Sequence, residues 1–251
     1  MAGHEVSIIP AAPLLLPAAS PAQPSENVAE VAALRDRVRR VLERLPEAET
    51  VLLLDGGPES VVHDADRASL AGYGYPQVGV DVRIDRELLA AVSSRGQAPR
   101  VRSDRLDGDP AVLALLLAEV RPELALAPVT VPRGASARSL HDIAIGLAGA
   151  LATVERTVAV IAAGDLAATL TERSPGYLVD GATSWDGTAV AAVRAGDPDA
   201  FAQLGPEDAA RVRARGWAPI VVALQLAAPD HLAFAEVHYL APRGVGQLVA
   251  G

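Results

Sequence analysis

Hydrophobic and polar positions along the chain form two kinds of segment: short, continuous apolar runs and longer stretches with helical spacing. After Ser25, a residue suited to a helix N-cap, apolar residues recur at helical intervals from Val28 to Leu45, where Pro46 follows. The run from Val51 to Leu54 is continuously apolar and leads directly into Asp-Gly-Gly-Pro. Such a run is typical of a central strand that is covered on both faces and turns sharply at its end. The pattern predicts a helix and then a buried strand.

The same alternation continues to the C-terminus. Asp85 and Ser139 stand where helix N-caps are expected, and Asp109-Pro110 places proline at the start of a third helix. Residues 220–227 are apolar without a period that separates helix from strand. Further helices are predicted to begin near Ser184, Asp197 and Pro206, and strands are predicted over residues 5–9, 78–82, 124–131, 158–162, 232–239 and 245–249. We predict one α/β domain over residues 1–251, with a central, mostly parallel or mixed sheet flanked by helices.

Composition narrows the classes of function. The net charge is −9 and all basic residues are arginine, which disfavours binding to a nucleic-acid backbone and indicates a GC-rich bacterial genome. The chain has no cysteine, so disulfides and thiol nucleophiles are excluded, and without lysine it has no Walker A motif. Prolines interrupt the apolar N-terminus, and charges interrupt the other long apolar region. We therefore predict a cytoplasmic protein without a transmembrane span.

Small and acidic residues follow three of the predicted strands. They are Pro10-Ala-Ala-Pro13, Asp55-Gly-Gly-Pro58 and Ala163-Gly-Asp-Leu166. In open α/β sheets, ligands bind beyond the carboxyl ends of the strands. We expect these three corners to converge on one concave site.

These corners, together with two further segments, resemble motifs of the class III extradiol dioxygenase superfamily, which includes the catalytic subunit of protocatechuate 4,5-dioxygenase and the Memo-like proteins. In many relatives the motifs read Pro-His-Pro-Pro, Ser-Pro-His-Gly, Leu-Asp-His-Gly, Ser-Gly-Asp-Leu-Ser-His and Tyr-Glu-Ala-Pro-Tyr-Gly-Val-Gly. The corresponding segments here are Pro10-Ala-Ala-Pro13, Leu54-Asp-Gly-Gly57, Leu106-Asp-Gly-Asp109, Ala163-Gly-Asp-Leu-Ala-Ala168 and Tyr239-Leu-Ala-Pro-Arg-Gly-Val-Gly246. The resemblance implies this superfamily's fold, as a single domain like that of its catalytic subunits.

The resemblance also implies that the superfamily's metal site has been lost. Its usual reaction needs Fe(II) bound by two histidines and a carboxylate, and a histidine that acts as acid and base. Alanine or glycine stands at each position where relatives carry histidine, namely Ala11, Gly56, Gly108 and Ala168. We therefore expect a degenerate, non-catalytic member with no cofactor. The cleft candidates are Pro10, Ala11, Asp55, Gly56, Gly57, Asp107, Gly108, Gly164, Asp165 and Ala168.

The alternative is an enzyme with a displaced, aspartate-rich metal site. Asp55, Asp107 and Asp165 could together bind a divalent cation, although the interpretation we favour is turn-forming or helix-capping aspartates. The remaining histidines are His4, His63, His141, His231 and His238, and we interpret them as polar surface or capping residues. Weak metal-ligand candidates among these segments are His63 and Asp66 on a predicted loop, and Glu236 and His238, which share one face of a predicted strand.

Three functional hypotheses remain open from the sequence. The leading one is a non-catalytic protein that binds an unknown small molecule or protein in the cleft. The second is the metal-dependent enzyme, either dioxygenase-like or a hydrolase. The third is an assembly subunit, for which a homodimer is possible; we expect neither nucleic acid nor membrane as a partner.

Overall fold

A computed structural model describes residues 4–19, 25–45, 47–95, 98–227 and 233–251. The strands of this part of the chain are β1 (Val6–Ile9), β2 (Thr50–Gly57), β3 (Val61–Asp64), β4 (Arg67–Leu70), β5 (Tyr75–Asp81), β6 (Arg83–Ile84), β7 (Arg100–Arg102), β8 (Ala125–Pro132), β9 (Val158–Ala163), β10 (Val237–Leu240) and β11 (Gln247–Ala250). The helices are α1 (Ser25–Glu43), α2 (Arg86–Ser94), α3 (Gly108–Val120), α4 (Ala137–Leu151), α5 (Ala182–Ala195), α6 (Pro198–Ala202), α7 (Pro206–Arg211) and α8 (Trp217–Leu226). Short 3-10 turns lie at residues 13–15, 17–19, 71–73 and 242–244.

The central sheet is mixed, with a parallel middle. Its strand order is β10-β11-β1-β9-β2-β8-β3-β7, and β6 pairs alongside β8. The four middle strands β1, β9, β2 and β8 run parallel, whereas β11 pairs antiparallel with β1 and β3 pairs antiparallel with β8. The predicted α/β class, with a mostly parallel or mixed sheet flanked by helices, is confirmed.

Alternating side chains of the middle strands pack into two hydrophobic cores, one on each face of the sheet. In β2, Leu52 and Leu54 join the core formed with α2, α4, α5 and α8, whereas Val51 and Leu53 join the core formed with α1 and α3. A strand covered on both faces needs apolar residues at every position, which explains the continuous run in the sequence. The parallel middle of the sheet is thereby fixed between two helical layers.

Residues 220–227, undecided from the sequence, lie almost entirely in α8. This helix is buried all round, so it lacks the polar face that would have marked it as helical. It packs against α4 and against β2 and β9. None of the helices in the described part of the chain is long and apolar enough to cross a membrane.

Several predicted boundaries were wrong or fall elsewhere. Helix α4 begins after Ser136, whose Oγ accepts a hydrogen bond from the Ser139 amide, so Ser139 is not its cap. The strand predicted at 78–82 is part of β5, which pairs only with β4 in a separate two-stranded sheet. His63 was predicted on a loop but lies in β3. Pro46, His231 and the start of the strand predicted from residue 232 lie outside the described residues.

Candidate functional site

The carboxyl ends of three parallel middle strands lie side by side at one edge of the sheet. Ile9 at the end of β1 is in register with Ala163 at the end of β9, and Ala162 is in register with Leu54 of β2. The expected turn at Asp55-Gly-Gly is instead a continuation of β2, in which Asp55 and Gly57 still pair with β8. The three sequence corners therefore meet at this edge, as the α/β topology requires.

A cleft with a volume of about 650 Å³ opens beside this edge. Its walls are mostly apolar, and its polar side chains are three arginines, one aspartate and one glutamine. The lining residues are Ala12, Pro13, Leu14, Arg133, Gly134, Asp165, Leu166, Ala168, Pro175, Ala209, Ala210, Arg213, Ala214, Arg215, Val245 and Gln247. This size and this mixture of walls fit a small organic molecule.

Asp165 is the buried acid of the cleft. One carboxylate oxygen accepts a hydrogen bond from the Ala11 amide at 2.8 Å, and the other lies 3.4 Å from the Gln247 side-chain amide. Burial raises the pKa of Asp165, and the nearby positive charge of Arg215 opposes that rise. The hydrogen bond from Ala11 ties the first corner to the third.

The segment that carries Asp165 is also held from its other side by Asp186 of α5. Asp186 accepts hydrogen bonds from the Ala167 amide at 2.9 Å and from the Tyr239 hydroxyl at 2.6 Å. Burial raises the pKa of Asp186 to about 6, and it also raises the pKa of Tyr239. Two buried acids thus fix the backbone from Asp165 to Ala168 along the cleft.

Arg215 lies between acids at the floor of the cleft. Its guanidinium forms an ion pair with Asp109 of α3 at 3.1 Å, and the same Asp109 oxygen accepts a 2.6 Å hydrogen bond from Tyr73. Burial alone would lower the pKa of Arg215, but Asp165, Asp109 and Tyr73 together raise it. The pKa of Tyr73 is raised, chiefly by burial and by the adjacent carboxylate. Arg215 is therefore a fixed cation with its charge already balanced.

Asp55 belongs to a hydrogen-bonded chain with Thr130 and His63. The Thr130 hydroxyl donates to Asp55 at 2.7 Å and lies 2.7 Å from His63 Nε2. Burial raises the pKa of Asp55 to about 7, and nearby Asp109 adds to the rise, whereas burial lowers the pKa of His63. A hydroxyl between acid and imidazole differs from a nucleophilic triad, in which the imidazole lies between hydroxyl and acid.

The structure brings some of the sequence-predicted residues to the cleft and not others. Asp165 and Ala168 line it, and buried Pro10, Ala11, Gly57 and Gly164 form the backbone edge behind it. Asp107 does not converge with Asp55 and Asp165. It caps α3 by accepting from the Gly108 amide and also accepts from the Gly72 amide, while Gly108 has a positive φ of 66° at the helix start. The acid of this segment that reaches the site is Asp109.

Of the four positions at which the resemblance implies a lost histidine, Gly56 has no room for an imidazole. Gly56 lies in a strand without a positive φ, and a Cβ there would come within 2.5 Å of the Arg215 carbonyl oxygen. Ala11 is fully buried, and its amide is already bonded to Asp165. A histidine at Gly56 would have to displace backbone, which explains why glycine fits there. Of the four positions, only Ala168 lines the cleft.

The weak metal candidates bond to other side chains. His63 bonds Thr130, and Asp66 forms ion pairs with Arg86 and Arg102. Glu236 and His238 share a face, 3.0 Å apart, as the strand period predicted, but Glu236 is also paired with Arg44, which with His238 lowers the pKa of Glu236 to about 2. Among the described residues, no three acidic or histidine side chains lie close enough together to share a metal ion.

Sequence reasoning missed the basic side of the site. Arg133, Arg213 and Arg215 are far apart from the acidic corners along the chain, and no spacing rule connects them to Asp165. One available signal was Arg213-Ala-Arg215 directly before an apolar run. A second was the pair of acids in Asp107-Gly-Asp109, of which the second faces inward.

Comparison with known proteins shows a likeness of fold. No family model matches the chain, and no curated protein matches it in sequence. The crystal structure of the uncharacterized protein JW3007 from Escherichia coli K12 is similar, with a TM-score of 0.55, 11% identity and coverage of 98% of each chain. The two proteins share their overall fold over nearly their whole length.

Proposed function

We propose that this protein binds a small molecule in the cleft without cleaving it, as a degenerate member of the class III extradiol dioxygenase superfamily. The observation that carries the binding half is the apolar-walled cleft of about 650 Å³ at the carboxyl ends of the parallel strands. The polar groups that converge there, buried Asp165 and Arg215, would fix the orientation of a ligand.

The non-catalytic half rests on the residues that stand in the superfamily's motifs. Alanine and glycine at positions 11, 56, 108 and 168 offer neither a metal ligand nor a proton-transfer group. At Gly56 the approach of the Arg215 carbonyl oxygen also leaves no space for such a group. The competing metal-enzyme proposal has less support, because Asp107 is a helix cap whose carboxylate accepts hydrogen bonds from the Gly108 and Gly72 amides.

Binding can be tested with N-phenyl-1-naphthylamine, a neutral dye that fluoresces in apolar sites. We expect saturable fluorescence with the purified protein, and loss of affinity by about tenfold or more in Ala168→Trp, which fills the cleft. Ala32→Trp, on the exposed face of α1, is the matched control and should bind like the parent. Ala210→Trp provides a second filling variant if Ala168→Trp does not fold. Equal affinity in all folded variants would refute the cleft as the binding site.

The proposed absence of ring-cleavage activity can be tested separately. The protein, loaded anaerobically with Fe(II) and then mixed with protocatechuate and oxygen, should form ring-opened yellow product no faster than iron alone. Turnover at enzymatic rates above that background would show that the superfamily's chemistry survives by other residues.

A further inference from the structure

Charge distinguishes the cleft from the rest of the molecule. The chain has a net charge of −9, yet the titratable groups that line the cleft are Arg133, Arg213, Arg215 and Asp165. Even with Asp165 ionised, this lining carries a net charge of +2. A concentrated positive potential inside a concave, low-dielectric site attracts anions.

The three arginines differ in what balances their charge. Arg215 is paired with Asp109 and lies near Asp165. Arg133 and Arg213 are exposed, and neither forms a side-chain hydrogen bond or ion pair with another described residue. Their guanidinium groups are therefore available to a ligand at the rim of the cleft. A guanidinium binds a carboxylate, sulfonate or phosphate with paired N–H donors.

The backbone at Arg213 adopts the left-handed conformation that ends helix α7, where the Arg213 amide donates to the Ala210 carbonyl and the Ala214 amide to the Ala209 carbonyl. Arg213 has a φ of +58°, in the left-handed region that costs a non-glycine residue free energy. Tyr177 and Arg243 are the other non-glycine residues with positive φ in the described chain. Arg243 lines an adjoining cavity of about 340 Å³ that shares Pro13, Leu14, Pro175 and Val245 with the cleft.

We infer that the ligand of the cleft is an amphipathic organic anion, with its acidic group bound by Arg133 and Arg213 and its apolar body against the alanine, leucine and proline walls. This inference rests on the proposed binding function and specifies its ligand class. The charge of Arg215 is already balanced by acids, so Arg133 and Arg213 supply the net positive charge for the acidic group.

The test compares two dyes with the same aromatic body. 8-Anilinonaphthalene-1-sulfonate carries a sulfonate, and N-phenyl-1-naphthylamine does not. Arg133→Gln and Arg213→Asn should each weaken binding of the sulfonate dye by about tenfold, because a charge-assisted contact is lost. Both variants should bind the neutral dye within about twofold of the parent, and added salt should weaken binding of the sulfonate dye alone. Arg211→Gln, on the same segment but outside the lining, is the matched control.

Arg213→Asn also separates binding from stability. Asparagine tolerates a positive φ better than arginine, so this variant should keep or raise the thermal midpoint while losing affinity for the sulfonate dye. A structural role for Arg213 would instead lower both. If the arginine variants keep the parent affinity for the sulfonate dye while Ala168→Trp abolishes binding of both dyes, the anionic ligand class is wrong and the binding function stands. If Ala168→Trp and Ala210→Trp, both folded, bind both dyes normally, both proposals fail.

Discussion

The two ends of strand β2 each have a buried aspartate that accepts a hydrogen bond from a threonine hydroxyl, but their surroundings differ. At the amino end, Thr50 donates to Asp85 at 2.6 Å, and Arg156 binds both oxygens of Asp85, each at 2.6 Å. At the carboxyl end, Thr130 donates to Asp55, and no arginine of the described chain forms an ion pair with it. The charge of the aspartate is thus neutralised by arginine at the amino end, whereas the aspartate at the carboxyl end has no bonded cation.

The protonation of the two acids follows from this difference. Although burial opposes ionisation of Asp85, its hydrogen bonds from Arg156, the Leu88 amide and Thr50 lower its pKa. Burial instead dominates at Asp55 and raises its pKa to about 7. The amino end also has a depression of about 630 Å³, but it is open and polar, and two of its acids, Asp85 and Glu87, form ion pairs with Arg156. The comparison separates a structural ion pair at one end of β2 from a buried acid without a bonded cation at the other.

The largest effect is expected where the amino-end ion pair is broken. Arg156→Gln removes the bidentate cation and leaves buried Asp85 with neutral donors only, the Thr50 hydroxyl and the Leu88 amide. We expect a loss of about 3 kcal/mol in the free energy of unfolding. Urea denaturation of the variant and parent measures this. Arg39→Gln removes a solvent-exposed helical pair with Glu43 and should leave the midpoint unchanged. An equally small effect of both substitutions would mean that the Arg156–Asp85 pair stabilises the fold no more than the exposed Arg39–Glu43 pair.

The next largest expected effect concerns how the free energy of unfolding depends on pH. Asp55 and Asp85 should contribute to this dependence with opposite signs. The folded chain holds a proton on Asp55 up to about pH 7, whereas the unfolded chain releases it near pH 4. The stability contributed by Asp55 is therefore fully present below about pH 4 and is lost as pH rises through about 7. We expect the parent to lose about 2 kcal/mol more than Asp55→Asn between pH 5 and pH 8, with nearby Arg133 and Arg215 limiting the loss.

Asp85 should show the reverse behaviour in the same urea experiments. Its lowered pKa gives stability that is present above about pH 4 and is lost as pH falls through its folded value. Asp85→Asn should therefore lose stability at neutral pH. The Asp55→Asn variant should still lose some stability as pH rises, because burial also raises the pKa of Asp165 and Asp186. Identical pH profiles for the parent and Asp55→Asn would contradict the contrast between the two ends.

The smallest expected effect is the difference in stability between variants at the two threonines. Thr50→Val leaves Asp85 with Arg156 and the Leu88 amide. Thr130→Val removes the one hydrogen bond that Asp55 accepts within the described chain, together with the bond between Thr130 and His63. We expect Thr130→Val to cost about 1 kcal/mol more than Thr50→Val, because an unsatisfied buried acceptor is more costly than a redundant bond. Thermal and urea unfolding at pH 7 measure the difference. Equal costs would show that the carboxyl end is as redundantly bonded as the amino end.

The sequence by itself determined the alternation of strands and helices and the edge of the sheet at which the cleft opens. Continuous apolar runs such as Val51 to Leu54 occur because strands covered on both faces bury every side chain, and parallel strands necessarily bring their carboxyl ends together. Local capping was also readable at Asp85, which accepts from the Leu88 amide. The apolar runs and the helix cap depend on residues that are close together in the chain.

Only the tertiary structure decided which side chains form the site. Whether Asp107 or Asp109 faces inward depends on how α3 begins after Gly108, and the partner of Asp109 is Arg215, far along the chain. The raised pKa of Asp55 depends on burial beneath elements contributed by the whole fold. Gly56 is constrained by the approach of the Arg215 carbonyl, which no local pattern encodes. Charge compensation and steric contact act through space, so a sequence period cannot specify them.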